Sequence, residues 1–315
     1  MNKDPIRVLG CLLLSVFFAA CSTPAPQRPT DPDIAAAAKR GQRAFRSGRY
    51  EAAAEAYGDA LHRARMLNEK AGAADSAYNL AACLVAAGRF DEARTALREA
   101  RAEFNPSDPG LADALLLEGL IARRQDRRDE ALALADQVLA MKAPASGAAA
   151  KQLQARLLRV ETQCDAGNAA AARTDLTSAQ RAARDGTLPA SLLAEVAAAD
   201  GRVLRLEGKP AAAAERYDTA AEQFRRGTRP RDVAAALALA GRCFEEAGSP
   251  AAAADRYCRA ARSLFAQNDF AASVKTLDSA FAMAEKANDP ELKARATDLL
   301  NEVQAAVKRK EFKQD

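Results

Sequence analysis

The chain has 315 residues, 46 lysines and arginines against 42 aspartates and glutamates, one histidine and no tryptophan. That near-balance of charge lacks the strongly basic face that generic nucleic-acid binding uses. A lone histidine narrows the room for histidine-based catalysis or metal binding. Read from the first residue, Lys3 and Arg7 precede an apolar run from Val8 to Ala20, broken only by Gly10 and Ser15. The run falls short of the ~20 residues that cross a bilayer, and it fits the apolar core of a secretory signal. No later segment approaches ~18 apolar residues. Ala19 and Ala20 stand before Cys21, and Ser22 to Pro32 then holds four prolines and no bulky apolar residue.

The order basic, apolar, small, cysteine resembles the signal of bacterial lipoproteins, with Phe18 where that pattern usually has leucine. The resemblance implies cleavage after residue 20 and acylation of Cys21. It implies a Pro-rich linker over 21–32 and a lipid-anchored protein of the cell envelope. By resemblance to sorted lipoproteins, Ser22 in place of aspartate favours the outer membrane, facing the periplasm. Cys83, Cys164, Cys243 and Cys258 remain in the rest of the chain, in no C-x-x-C spacing. An exported compartment permits disulfides. Cys243 and Cys258 fall on consecutive predicted helices, where either a bond or two buried thiols is open.

From residue 33 the chain repeats itself. Turn residues Gly48, Gly88, Asp126, Gly167, Gly208 and Gly248 recur every 38–41 residues. On either side of each turn, apolar and small residues follow the i, i+3, i+4, i+7 spacing of helices. The expectation is six helix pairs over 33–267. Five residues after each turn stands alanine: Ala53, Ala93, Ala131, Ala172, Ala213 and Ala253. Seven before it stand Gly41, Ala81, Gly119, Val160, Gly201 and Gly241. Glycine inside a helix costs ~1 kcal/mol relative to alanine, so its recurrence at one phase marks a close-packing site. The stretches 105–110, 142–147, 185–190 and 227–232 have the Pro, Gly, Asp and Ser of connections. Residues 268–315 read as two further amphipathic helices that cap the array.

These positions resemble the tetratricopeptide repeat: Gly41, Gly48, Tyr50, Ala53, Tyr57 and Ala60 in the first unit, and Ala81, Gly88, Phe90, Ala93 and Ala100 in the second. Tyr217 with Ala220 and Tyr257 with Ala260 carry it in the fifth and sixth. The third and fourth match less well, with Arg128 and Ala169 at the aromatic position after the turn. The resemblance implies an all-α, right-handed α-solenoid of about fourteen helices. It also implies binding of a protein or peptide along the inner face of the first helices. Transferring the phase gives Gln42, Phe45 and Arg46, then Arg123 and Arg124, Glu161, Arg202 and Arg205, and Arg242 and Glu245. The lysine and asparagine that clamp a C-terminal carboxylate in some relatives are replaced by Ala38 and Gln42. The excess of arginine favours an acidic segment, because guanidinium forks pair with carboxylates.

The chemistry of an enzyme is missing from the sequence. His62 lies mid-helix in "YGDALHRARML" beside apolar positions. No H-E-x-x-H and no Cys/His cluster with zinc spacing occurs. "GRVLRLEGKP" has the wrong glycine spacing for a phosphate loop, and Pro210 stands where Ser or Thr is required. Asp126, Asp129 and Glu130 read as acids at a helix start. No catalytic residue, metal site or cofactor is expected. The expectation is a membrane-tethered adaptor that binds a protein in an envelope assembly, secretion or cell-wall complex. The alternative is a permanent structural subunit of a large complex or homodimer.

Overall fold

The computed structural model of the chain describes residues 31–105, 108–141, 148–185 and 188–311. The segment before Asp31, including Cys21, lies outside them. The described residues form fourteen helices and no strand. They are α1 (Pro32–Arg46), α2 (Tyr50–Met66), α3 (Lys70–Ala86), α4 (Phe90–Glu103), α5 (Pro109–Arg124), α6 (Arg128–Ala140), α7 (Ala148–Asp165), α8 (Ala169–Asp185), α9 (Ala190–Leu206), α10 (Pro210–Arg226), α11 (Pro230–Glu246), α12 (Pro250–Ala266), α13 (Phe270–Ala287) and α14 (Pro290–Glu311). The fold is all-α and of the stacked helix-pair type. The chain divides into two compact units, one ending at Thr162 and the other running from Gln163, so the division falls within α7. None of the described helices is long and apolar enough to cross a membrane.

Turns of three residues close each pair. The first helix ends on a residue with positive φ, which glycine adopts without a Cβ penalty. Gly88 has φ 80° there, and its amide N–H donates to the Val85 carbonyl. In the third repeat Asp126 takes the same conformation at φ 58°. Prolines open α1, α5, α10, α11, α12 and α14, at the position where a missing N–H leaves nothing unsatisfied. Two connections expected from sequence are therefore shorter than drawn. Pro109 and Gly110 belong to α5, and Pro230, Arg231 and Asp232 belong to α11. In both, the proline starts a helix instead of prolonging a turn. Residues 142–147 lie outside the described set.

The packing explains the two recurring small positions. All six alanines after the turns are fully buried. The helical glycines face aromatic rings: a Cβ at Gly41 would lie 2.7 Å from the Tyr57 ring, and one at Gly241 would lie 2.9 Å from Tyr257. At Gly201 a Cβ would meet both the Tyr217 ring and the Ala213 carbonyl oxygen at 3.1 Å. Where the ring is absent the small position grows. The corresponding residues are Ala81 and Leu97 in the second repeat and Val160 and Leu176 in the fourth, all buried. Volume is thus traded between two helices at constant spacing, which close-packed interiors require. Gly119 is the exception, since Leu158 of the next repeat fills its space.

The four cysteines of the described residues are buried free thiols. Cys243 and Cys258 are therefore not bonded to each other. Burial pushes the thiols of Cys83 and Cys243 up to about 12. A raised pKa keeps them protonated at pH 8, and the thiolate is the nucleophile. Iodoacetamide is expected to leave both unlabelled in the native chain and to label both in denaturant, read by mass spectrometry. Rapid native labelling of Cys243 would contradict this burial.

Candidate functional site

The residues that sequence places on the inner phase of the first helices are built differently in the two units. In the N-terminal unit, Phe45 at the end of α1 is half-buried. Its ring lies 5.1 Å from that of Tyr50 across the turn. Arg46 beside it is exposed. Arg123, near the end of α5, turns inward: its side chain is 6% exposed, and Nη2 donates to Glu161 Oε2 on α7 at 2.9 Å. Arg124 is half-buried at the C-terminus of the same helix. The acids near the next turn are also partnered. Asp126 pairs with Arg128, and Glu130 pairs with Arg127 and Arg94.

In the C-terminal unit, Arg202 on α9 donates to Asp165 at the end of α7, at 2.5 Å. Arg205, one turn further, forms a forked pair with Glu246 of α11 at 2.7 to 3.0 Å. That geometry matches a guanidinium to a carboxylate and is among the stronger charged hydrogen bonds. Arg242 is half-buried on α11. The Tyr257 hydroxyl donates to Glu245 at 3.0 Å.

The arginines and carboxylates thus meet across one repeat: Arg123 with Glu161, Arg202 with Asp165, Arg205 with Glu246. In the N-terminal unit the first of these pairs joins α5 to α7, and in the C-terminal unit the other two join α7 to α9 and α9 to α11. Sequence reasoning missed Asp165 and Glu246. Both stand at the repeat position of Arg46 and Arg124, so the phase already held the signal. Among the described residues, Arg46 and Arg242 have no carboxylate partner.

His62, the one histidine of the chain, is exposed on α2. No three His, Cys, Asp or Glu side chains among the described residues gather into a group that could hold a metal ion.

Three comparisons bear on the chain. Residues 38–109, 84–149 and 199–262 match a family model described as Tetratricopeptide repeat. No curated protein matches. Among solved structures, the chain is similar to the apo form of RapI, at 11% identity and a TM-score of 0.59, covering 88% of this chain and 99% of that one. It is also similar to PilW, described as a widely conserved type IV pilus biogenesis factor. That match has 17% identity and a TM-score of 0.54, and covers 78% and 99% of the two chains. A Rap protein complexed with competence and sporulation factor matches at 12% identity and a TM-score of 0.50, over 89% and 99%. At these identities the likeness is one of fold.

Proposed function

The chain belongs to the tetratricopeptide repeat family, and from that premise we propose that it is a lipid-anchored adaptor of the bacterial envelope that binds an acidic protein segment. Acylated Cys21 would hold the array on the outer membrane, facing the periplasm. The observation that carries the binding reading is the set of first-helix ion pairs. It leaves Arg46 in one unit and Arg242 in the other without carboxylates, at the phase where repeats of this kind meet their ligands. A partner carboxylate there would complete the pairing. Fork-shaped pairs also set orientation, which a permanent hydrophobic subunit contact would not need.

Arg242→Glu is the selective test, because it breaks no ion pair within the fold. A pull-down from detergent-solubilised envelope, identified by mass spectrometry, supplies the partner. The variant should bind it at least tenfold more weakly, and less so as salt rises, since screening already reduces the parent's attraction. Thermal melting of the variant, followed by circular dichroism, separates lost binding from a loosened fold. Equal binding by the variant would remove this face from the function. For the anchor, Cys21→Ser should release the chain from membrane fractions and abolish labelling by a fatty-acid probe. Unchanged labelling would exclude Cys21 as the acylated residue.

A further inference from the structure

We infer that the outward face of α1 is a docking surface for an anionic phospholipid bilayer, an inference that rests on the anchored reading of Cys21. Each first helix of the repeats carries a residue two places after its small packing position. In α3, α5, α7, α9 and α11 that residue is Cys83, Ile121, Thr162, Val203 or Cys243, and all five are buried. In α1 the same place holds Arg43, which is exposed. The helix buries Ile34, Ala37, Gly41 and Ala44 on one side. Opposite them, at helical spacing, lie Ala36, Lys39 and Arg43, all exposed. The first repeat thus presents an uncovered, basic version of the face that later repeats pack.

Ordinary capping asks only that a terminal face be polar. This one is of a single sign. Lys39 and Arg43 have no carboxylate partner among the described residues. Arg40 alone on this side reaches one, Asp59 of α2 at 3.1 Å, and both of those side chains are more than half exposed. Asp31 and Asp33, at the start of the helix, are turned to Arg63 of α2. Arg49 continues the basic character past the helix end. A second copy presenting the same face would be repelled.

The position of the anchor selects the occupant. Asp31 lies ten positions after Cys21. Even at the full extension of ~3.3–3.6 Å per residue, ten steps reach only about 35 Å. A chain acylated at Cys21 therefore keeps α1 close to phosphate-bearing headgroups. The tether raises the local concentration of α1 at the bilayer, and a basic face that comes within a Debye length of ~8 Å is attracted to the headgroups. Basic side chains at such a surface each raise binding by roughly fivefold.

The test uses the full chain carrying Cys21→Ser, so that acylation makes no contribution, with vesicles of phosphatidylglycerol or of phosphatidylcholine. Co-sedimentation should favour the anionic vesicles and weaken as salt rises. Adding Lys39→Glu and Arg43→Glu should reduce binding to the anionic vesicles by about 25-fold or more and leave binding to phosphatidylcholine unchanged. A second readout follows the face itself. An environment-sensitive fluorophore on Ala36→Cys should shift to the blue on anionic vesicles alone. Equal partition to both lipids, or anionic binding that survives the charge reversal, would overturn the proposal. So would a double reversal that spares vesicle binding and loses a co-purified acidic protein, which would assign the face to that protein. Fatty-acid labelling of the parent chain is read separately. Its failure would remove Cys21 as the anchor, while the vesicle arms would still report on α1.

Discussion

Arg229→Met should destabilise the C-terminal unit by about 3–5 kcal/mol, the usual cost of removing one member of a buried ion pair. Arg229 precedes α11, and its side chain is only 13% exposed. Nη1 donates to Glu195 of α9 at 2.8 Å, and Nε lies 2.5 Å from Asp232 in the first turn of α11. Both carboxylates are more deeply buried than the arginine. The guanidinium also lies 5.0 Å from the centre of the fully buried Phe224 ring. Methionine preserves much of the side chain's bulk and leaves two carboxylates facing each other without a cation. Urea denaturation monitored by circular dichroism measures the loss. The cause is separable from lost packing: Arg229→Met combined with Glu195→Leu and Asp232→Leu should recover most of it, because a buried ionic cluster replaced by apolar residues is often neutral or stabilising. A single-variant cost below about 1 kcal/mol would show that water reaches the cluster and that it holds nothing together.

The same cluster shows what the sequence displays and what it conceals. The repeat is legible because its cause is local: a positive-φ turn, an alanine five residues later and a small residue seven before recur at one spacing. Arg229 and Asp232 are local too, but in "GTRPRD" they look like the polar residues of an exposed connection. Their burial depends on Glu195, 34 residues earlier. Only the translation from one repeat to the next brings the three together. The first-helix arginines follow the same logic. Arg123, Arg202 and Arg205 have the phase expected of an inner face, and their partners lie 38, 37 and 41 residues away. A pattern within one repeat gives the direction of a side chain. It does not give the charge that the neighbouring repeat sets against it. Prolines misled for a related reason: Pro109 and Pro230 signal a turn and a helix start equally well, and the choice depends on whether the following residues find a packing partner.

Ala213→Trp should cost the C-terminal unit about 3 kcal/mol or more, at or beyond the upper end of the usual overpacking range. Ala213 is fully buried on α10, and its carbonyl oxygen would lie 3.1 Å from a Cβ at Gly201. The backbones of α9 and α10 therefore approach with no side chain between them. The neighbouring Tyr217 already fills the space over Gly201, and Phe224, Leu237 and Ala240 belong to the same core. An indole can enter only by driving the two helices apart, and that displacement would break the tyrosine–glycine contact as well. At about 2–4 °C per kcal/mol for a unit of this size, the midpoint of thermal unfolding should fall by roughly 6–12 °C. Ala211→Trp is the matched control: it lies in the same first turn and is exposed, so its effect should stay within about 0.5 kcal/mol. If the two tryptophans lowered the midpoint equally, the loss would reflect helix propensity or solubility, and the close approach of α9 and α10 would not be what the recurring alanine protects.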